Sequence, residues 1–323
     1  MAESLDETLS EIRLLFFFLN ILLPHYEGAV KEDGRGPSVW DKFSHTFGKI
    51  IDFSNADVAV DQFHLFDVHG TGKINQAGVD HYNKFINALL AQGIEPYVTL
   101  FHWDLPQALH DRYNGWLSSQ IIKDFATFAE TCFHNYGDRV KNWITFNEPH
   151  TVSIQGYDVG LQAPGRCSIL LHLFCRAGNS ATEPYIVAHN MLLSHGAAAD
   201  IYRKKYKAKQ QGSLGISLDV MWFEPATNST NDIEAAQRAQ DFQLGWDLVG
   251  KVLNDSLADS GAITLPFGKK LKPIGDRANS IWLYIVPQGM RSLMNYIRQK
   301  YGNPPVIITE NGMDDPNNAP DLH

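Results

Sequence analysis

The chain has 323 residues, of which 44% are hydrophobic and 20% are charged, which is ordinary usage for a globular protein and ample for a sizeable core. It carries 27 basic and 36 acidic residues, and the resulting formal net charge of −9 argues against a nucleic acid or an anionic membrane as partner.

The amino-terminal segment lacks the usual features of a signal peptide. Residues 14–23 form an apolar run that is too short to span a bilayer. Acidic residues precede this run, where a secretory signal would carry positive charge. We therefore separate residues 1–24, as an atypical N-terminal segment, from the main domain, which is predicted over residues 25–323.

Helical and strand patterns alternate along the middle of the chain. Apolar residues with helical spacing and β-rich runs follow each other twice, over residues 79–89, 95–101, 121–132 and 140–146. The first predicted strand leads to His102 and the second leads to Glu148. This order is typical of βα units in a parallel α/β fold.

The same order continues towards the C-terminus. Helices are predicted over residues 182–205, 233–246 and 281–301, and a strand is predicted within residues 212–222. A last β-rich run, residues 306–309, leads to Glu310. The pattern predicts βα units on a (β/α)8 plan, with polar residues presented at the carboxyl ends of the strands.

Two glutamates follow predicted strands. Glu148 is followed by Pro149, which disfavours helical geometry at the glutamate, and Glu310 is followed by an Asn-Gly turn signal. A single glutamate in such a place is usually a solvated loop residue. Two carboxylates at one edge of a barrel are, however, what hydrolysis of a glycosidic bond requires, one protonated and one ionised.

Several segments of the chain resemble family 1 glycoside hydrolases, specifically the plant β-glucosidases. The motifs are His-Trp-Asp-Leu-Pro-Gln at residues 102–107, Thr-Phe-Asn-Glu-Pro at 145–149 and Ile-Thr-Glu-Asn-Gly at 308–312. Residues 26–29, 36–41, 163–167 and 182–185 are similar as well. The resemblance spans most of residues 25–316 and implies a TIM barrel.

The resemblance also implies roles for individual residues. Glu148 is implied as the acid/base and Glu310 as the nucleophile of a retaining β-glucosidase. His102 and Asn147 are implied to bind the glucose hydroxyls, and their side chains supply both donor and acceptor atoms. His25 stands where the family has a glutamine that binds glucose.

The cysteines and two sequons bear on the cellular compartment. Cys167 and Cys175 resemble a pair that is disulfide-linked in plant members, whereas Cys132 lies on a helical apolar stripe and is predicted to be a buried thiol. Asn228 and Asn254 match the N-glycosylation pattern. The family suggests a secreted or vacuolar location.

Four of the eight barrel strands are altered or absent when the chain is set against the family. Residues 16–24 replace the small-residue run of strand one. Only residues 65–69 remain for strand two, which in the family brings an arginine beside the nucleophile. Strand six should follow Trp246, but the chain passes there through residues 247–251 directly into residues 252–254. Strand eight should follow Glu310, but the chain stops at His323.

These losses leave two interpretations open. The chain is either a β-glucosidase acting on a small β-glucoside, or a catalytically impaired form that at most binds glycosides, arising from a splice variant, a decayed gene or a faulty gene model. The second is favoured, because a nucleophile without its partners is weakly activated. The sequence does not indicate the aglycone or the oligomeric state.

A metal-binding interpretation is rejected. Asp67 and Gly72 match the first and sixth positions of a calcium-binding loop, but Gly78 stands at the twelfth position, where a bidentate glutamate belongs. We predict neither a metal nor a cofactor.

Overall fold

The computed structural model describes residues 36–50, 55, 57, 74–168, 175–245, 276–277, 284–285 and 287–310. The chain divides into two compact units, residues 1–219 and 220–323. The N-terminal segment, residues 1–24, lies outside the described residues. Of the segment that resembles a calcium-binding loop, residues 67–78, only residues 74–78 are described.

In the described part of the first unit, helices and parallel strands alternate. The elements are α1 (Val39–Ser44), α2 (Gln76–Ala91), β1 (Tyr97–Phe101), α3 (Gln107–Tyr113), α4 (Gln120–Tyr136), β2 (Asn142–Asn147), α5 (Pro149–Tyr157), α6 (Glu183–Ile201), α7 (Lys207–Gln210) and β3 (Ser213–Ser217). A 3-10 turn, Gly115–Leu117, precedes α4, and a π-helical turn, Tyr202–Tyr206, joins α6 to α7. The alternation predicted for this part of the chain is confirmed.

The three strands form one parallel sheet in the order β1-β2-β3. Val98 pairs with Trp143, which in turn pairs with Leu214. After their first residues, β1 and β2 are buried throughout, as expected for parallel strands that are covered on both faces. The carboxyl ends of all three strands therefore lie at one edge of the sheet.

Helix α4 covers this sheet with a regular apolar face. Its buried residues recur at helical spacing: Ile121, Phe125, Ala129, Cys132, Phe133 and Tyr136. Phe125 stacks on Phe146 of β2 with ring centroids 4.5 Å apart, and Trp116 meets the same ring edge-on at 5.4 Å. This aromatic cluster anchors β2 at Phe146, two residues before Glu148.

The loop after β1 is held by the start of α1. The Val39 N–H donates to the carbonyl of Leu105 at 2.9 Å, and the Gln107 N–H donates to the carbonyl of Pro37 at 2.8 Å. Ser38 and Asp41 form a capping box that satisfies the N-terminus of α1. The segment that begins at His102 is thus tied down at its far end.

The second unit contains α8 (Thr230–Gln240), a π-helical turn (Asp241–Gly245), β4 (Asp276–Arg277), β5 (Tyr284–Ile285) and α9 (Pro287–Lys300) among its described residues. The helix predicted from residue 281 is partly wrong, because α9 begins only at Pro287. The residues before it pair as β5 with β4 in an antiparallel arrangement. Hydrogen bonds to a neighbouring strand override the helical spacing there.

The strand predicted over residues 306–309 is also wrong. Residues 303–310 do not form a strand, and Val306, Ile307 and Ile308 are 48%, 46% and 44% exposed. A β-rich composition favours a strand but does not create one, because a strand requires a neighbour with free backbone groups. No strand of the described residues pairs with this segment.

Candidate active site

Three polar residues lie just beyond the three parallel strand ends of the first unit. His102 follows β1, Glu148 follows β2, and Asp219 lies two residues beyond β3. Open parallel sheets and barrels present functional groups at this edge. The fold therefore brings side chains from segments far apart in the sequence to one edge of the sheet.

His102 and Asn147 meet at the ends of β1 and β2. They are 5% and 2% exposed, and Asn147 Nδ2 lies 3.2 Å from His102 Nε2. Because an amide nitrogen only donates, His102 Nε2 is the acceptor in this contact with the amide in this orientation. The structure thus brings together the two residues to which the sequence assigned glucose binding.

Glu148 has an unusual backbone conformation. It is half-buried, lies directly before α5 and adopts the left-handed region with φ 46° and ψ 62°. The sequence indicated that Pro149 would keep Glu148 out of right-handed helical geometry, and it did not predict the left-handed one. A non-glycine residue held in this region stores roughly 1–3 kcal/mol, which the surrounding structure must supply.

The indole of Trp103 supports the residue before Glu148. Its Nε1–H donates to the carbonyl oxygen of Asn147 at 2.9 Å, and Trp103 itself has a φ of 81°. The sequence left open whether Trp103 offers a face to a sugar or packs in the core. The side chain is half-buried against the core and at the same time anchors the end of β2.

A second polar pair was not found by the sequence reasoning. His150 Nδ1 lies 3.1 Å from Asp219 Oδ2, and the two side chains are 28% and 21% exposed. This contact joins the start of α5 to the segment after β3. The signal for Asp219 is the one that identified His102 and Glu148, a polar residue at the end of a predicted strand, here the strand within residues 212–222.

Below this edge, His195 ties α6 to the sheet. Its Nδ1 lies 2.7 Å from the hydroxyl oxygen of the fully buried Thr145, and that hydroxyl also donates to the carbonyl of Gly215 at 3.2 Å. Burial, with Arg203 nearby, lowers the pKa of His195 below its ordinary value. His195 is therefore held in its neutral form beneath the strand that carries Glu148.

The predicted nucleophile lies in the second unit. Glu310 is exposed and ends the irregular segment of residues 303–310, so it does not follow a strand in this structure. Glu148 belongs to the first unit and Glu310 to the second. Two other predicted site residues, His25 and Asn254, lie outside the described residues.

The cysteine predictions are confirmed. Cys167 and Cys175 form a disulfide with a Cα–Cα distance of 5.6 Å, and Cys132 is a buried free thiol. The other sequon residue, Asn228, is exposed just before α8, where Ser229 caps the helix through the Asp232 N–H.

The described part of the chain contains neither a candidate metal site nor a candidate membrane span. No group of three or more His, Cys, Asp and Glu side chains there could hold a metal ion. None of the helices described is both long and apolar enough to cross a membrane.

The sequence profile of glycosyl hydrolase family 1 matches the chain in three pieces, residues 25–69, 66–256 and 255–321. Beta-glucosidase 40 of Arabidopsis thaliana is 59% identical over an alignment that covers 90% of this chain and 72% of the relative. Beta-glucosidase 6 of rice, Oryza sativa, is 57% identical and is covered to 71% of its length.

Solved structures give the same result. A crystal structure of a rice β-glucosidase matches with a TM-score of 0.80 and 56% identity, over 91% of this chain and 78% of that one. A family 1 β-glucosidase from the fungus Humicola insolens, in complex with glucose, matches with a TM-score of 0.77 and 33% identity, over 89% of this chain and 76% of that one. With strand ends, motifs, profile and neighbours in agreement, this chain belongs to glycosyl hydrolase family 1, a family of enzymes.

Proposed function

We propose that this chain hydrolyses terminal β-D-glucosyl residues from β-glucosides with retention of configuration. The observation that carries the proposal is the buried contact between His102 and Asn147. His102 follows β1, and Asn147 directly precedes Glu148 at the end of the adjacent parallel strand β2. A site that reads sugar hydroxyls needs donors and acceptors that converge on one ring. Glu148, beside them and half-buried, is suited to donate a proton to a leaving oxygen.

The reaction would follow the two-step course of retaining glycosidases. In the first step Glu310 attacks the anomeric carbon while Glu148 gives its proton to the departing aglycone oxygen, which leaves a glycosyl ester on Glu310. In the second step Glu148 takes a proton from water, the water oxygen attacks the anomeric carbon, and the Glu310 carboxylate is released. This course requires the two carboxyl groups to lie about 5–5.5 Å apart.

The solved relatives support this assignment. One structure of the rice enzyme is a mutant in covalent complex with glucose, and a covalent glycosyl intermediate is the mark of retention. The chemistry comes to this chain by family membership and by the motifs around Glu148 and Glu310. His25 is the third proposed sugar ligand, at the position of the family's glutamine.

We further propose that the barrel of the catalytic domain, residues 25–323, is incomplete, with residues 1–24 as a separate atypical segment. The three profile matches join at residues 66–69 and 255–256, where strands two and six are expected. The alignment with the Arabidopsis relative spans 371 residues, whereas 90% of 323 residues is about 291, so about 80 aligned positions have no counterpart here. The predictions on strands one and eight stay predictions.

One observation favours a second candidate function, a glycoside-binding form with little or no turnover. The segment before Glu310 lies with its apolar residues exposed instead of forming a strand. A nucleophile carried by such a segment lacks the rigid support that holds reacting groups in place, and good positioning alone can supply about 7–11 kcal/mol of barrier reduction. We expect weak catalysis for this reason.

Turnover and binding measurements separate these candidates. The full chain is assayed with an aryl β-glucoside beside Glu148→Gln and Glu310→Gln variants, and glucoside binding is measured by calorimetry. Turnover that either variant abolishes supports the β-glucosidase; binding without turnover supports the second candidate. Turnover that survives in Glu310→Gln would refute the assignment of the nucleophile.

A secreted or vacuolar location is proposed on the same family grounds. The disulfide between Cys167 and Cys175 is typical of an oxidising compartment, and Asn228 is exposed and accessible to glycosylation. Expression in plant cells followed by N-glycosidase treatment tests this: a mass shift that Asn228→Gln reduces is expected, and an unmodified chain would contradict it.

A further inference from the structure

The left-handed conformation of Glu148 depends on contacts from the third strand. The Glu148 N–H donates to the carbonyl of Ser217, the last residue of β3, at 2.9 Å. On the other side, its carbonyl accepts from the Val152 N–H at 3.1 Å as the first turn of α5. A strained residue persists only where its surroundings determine its backbone, so these contacts decide where the carboxylate is presented.

The pair of His150 and Asp219 forms a second link between the same two segments. His150 lies two residues beyond Glu148, and Asp219 lies two residues beyond Ser217. A carboxylate only accepts, so His150 Nδ1 carries the proton that it donates to Asp219 Oδ2 at 3.1 Å. Both side chains are more than two-thirds buried, which limits competition from water for this bond.

Together the two links fix the peptide units from residue 148 to residue 150. The Glu148 N–H bond holds the start of α5 to β3 at one point. The second bond, two residues further along both segments, adds a second point of attachment. We propose that His150 and Asp219 are positioning residues that hold Glu148 in its left-handed conformation and so aim its carboxyl group; this rests on the proposed role of Glu148 as the acid.

A misaimed general acid has a chemical signature. Departure of a weakly acidic alcohol or phenol needs a proton from the acid, whereas an acidic phenol such as 2,4-dinitrophenol departs without one. Loss of the link should therefore slow the first kind of substrate and spare the second. A general loss of folded protein would lower the rate for both substrates equally.

The variants are chosen to separate positioning from stability. Asp219→Ala removes the acceptor of the bond, and Asp219→Asn keeps a side-chain oxygen that can accept from His150. Asp200→Ala is the matched control, since Asp200 pairs with Lys204 at 2.8 Å on the exposed face of α6, away from the strand ends.

The kinetic measurement compares kcat/KM for phenyl and 2,4-dinitrophenyl β-glucosides. We expect Asp219→Ala to lose about 10–100-fold on the phenyl substrate, part of the usual contribution of a general acid, and less than about 3-fold on the dinitrophenyl substrate. Asp219→Asn and Asp200→Ala should stay near wild type on both. Equal losses on both substrates, or equal effects of Asn and Ala at residue 219, would overturn the proposal.

A second measurement does not depend on turnover. Hydrogen exchange of a peptide that covers residues 147–153 reports whether the Glu148 turn has loosened. Asp219→Ala should speed exchange there by about 10-fold, without a change in α4, and Asp200→Ala should not. If the wild type has no activity, the proposed function is refuted, and hydrogen exchange alone tests the positioning role of His150 and Asp219. Unchanged exchange in Asp219→Ala would overturn that positioning role.

Discussion

Breaking the ion pair of Arg166 and Glu183 should cost far more stability than breaking an exposed ion pair. Arg166 Nε and Nη2 donate to the two carboxylate oxygens of Glu183 at 2.8 and 2.7 Å. The side chains are only 21% and 12% exposed, and the bond to Glu183, opposed by burial, raises the pKa of Arg166. The pair fastens the disulfide loop, through the residue before Cys167, to the first turn of α6.

Glu183→Gln leaves the guanidinium largely buried without its counter-charge. Breaking a fully buried pair costs about 3–5 kcal/mol, and the residual exposure reduces this to about 2–3 kcal/mol. Loss of a negative charge from the first turn of α6 adds a few tenths. For a unit of this size each kcal/mol lowers the melting temperature by about 2–4 °C, so a decrease of about 4–12 °C is expected.

The control is Asp200→Asn, which breaks the exposed i,i+4 pair with Lys204, whose side chains are 54% and 72% exposed. It should cost about 0.3–0.5 kcal/mol. Melting is followed by circular dichroism for both variants, and a cycle with Arg166→Met isolates the coupling between the two side chains. Similar melting temperatures for Glu183→Gln and Asp200→Asn would refute the reasoning.

Three further predictions concern the core, the buried histidine and the disulfide. Phe146→Ala removes a fully buried ring that contacts Phe125 and Trp116, and should lower the free energy of unfolding by about 3–5 kcal/mol in urea titrations; a loss comparable to that of an exposed residue would contradict the packing. The folded-state pKa of His195 is lowered, so the stability that its neutral ring contributes is fully present above the unfolded-state pKa of 6.5. That stability is lost as the pH falls below 6.5 towards the lower pKa of the folded state. Wild type should therefore lose more stability than His195→Gln between neutral and mildly acidic pH, and parallel curves would exclude this role. Cys167→Ser opens a bridge between residues 8 positions apart, which should cost about 2.5 kcal/mol and make melting insensitive to reductant.

Periodicity and turn chemistry predicted the part of the fold that is built from local signals. Ile121, Phe125 and Cys132 of the predicted stripe are buried in α4, whereas Ile122 and Phe128 are only half-buried, and Gly137 ends the helix as expected. The strand that leads to Glu148 was placed within two residues at its start and one at its end. Both elements carry a pattern that is complete within their own residues, an apolar periodicity for α4 and a β-rich run for β2, so the sequence alone indicates them.

The rest of the candidate site depends on contacts that leave no local trace. Glu148, in its left-handed conformation, donates its N–H to the carbonyl of Ser217, a residue 69 positions away that becomes a neighbour only when β3 lies beside β2. The bond between His150 and Asp219 spans the same distance. The strand prediction for residues 306–309 was wrong for a related reason. The composition there is that of a strand, but strand formation depends on a partner that composition does not specify.

These observations bear on what the proposed loss of barrel strands would do. The profile match over residues 66–256 contains β1, β2, β3 and the helices that cover them, so the part of the chain with the proposed acid, Glu148, has its own aromatic core and its own ties between strand ends. Glu310 belongs to a separate match, residues 255–321, and lies on a segment with exposed apolar residues. Given the roles proposed for Glu148 and Glu310, a change at the junction near residue 255 would leave proton donation intact and weaken nucleophilic attack. The kinetic consequence is that formation of the glycosyl ester, which needs both carboxylates, should be the step that limits this chain.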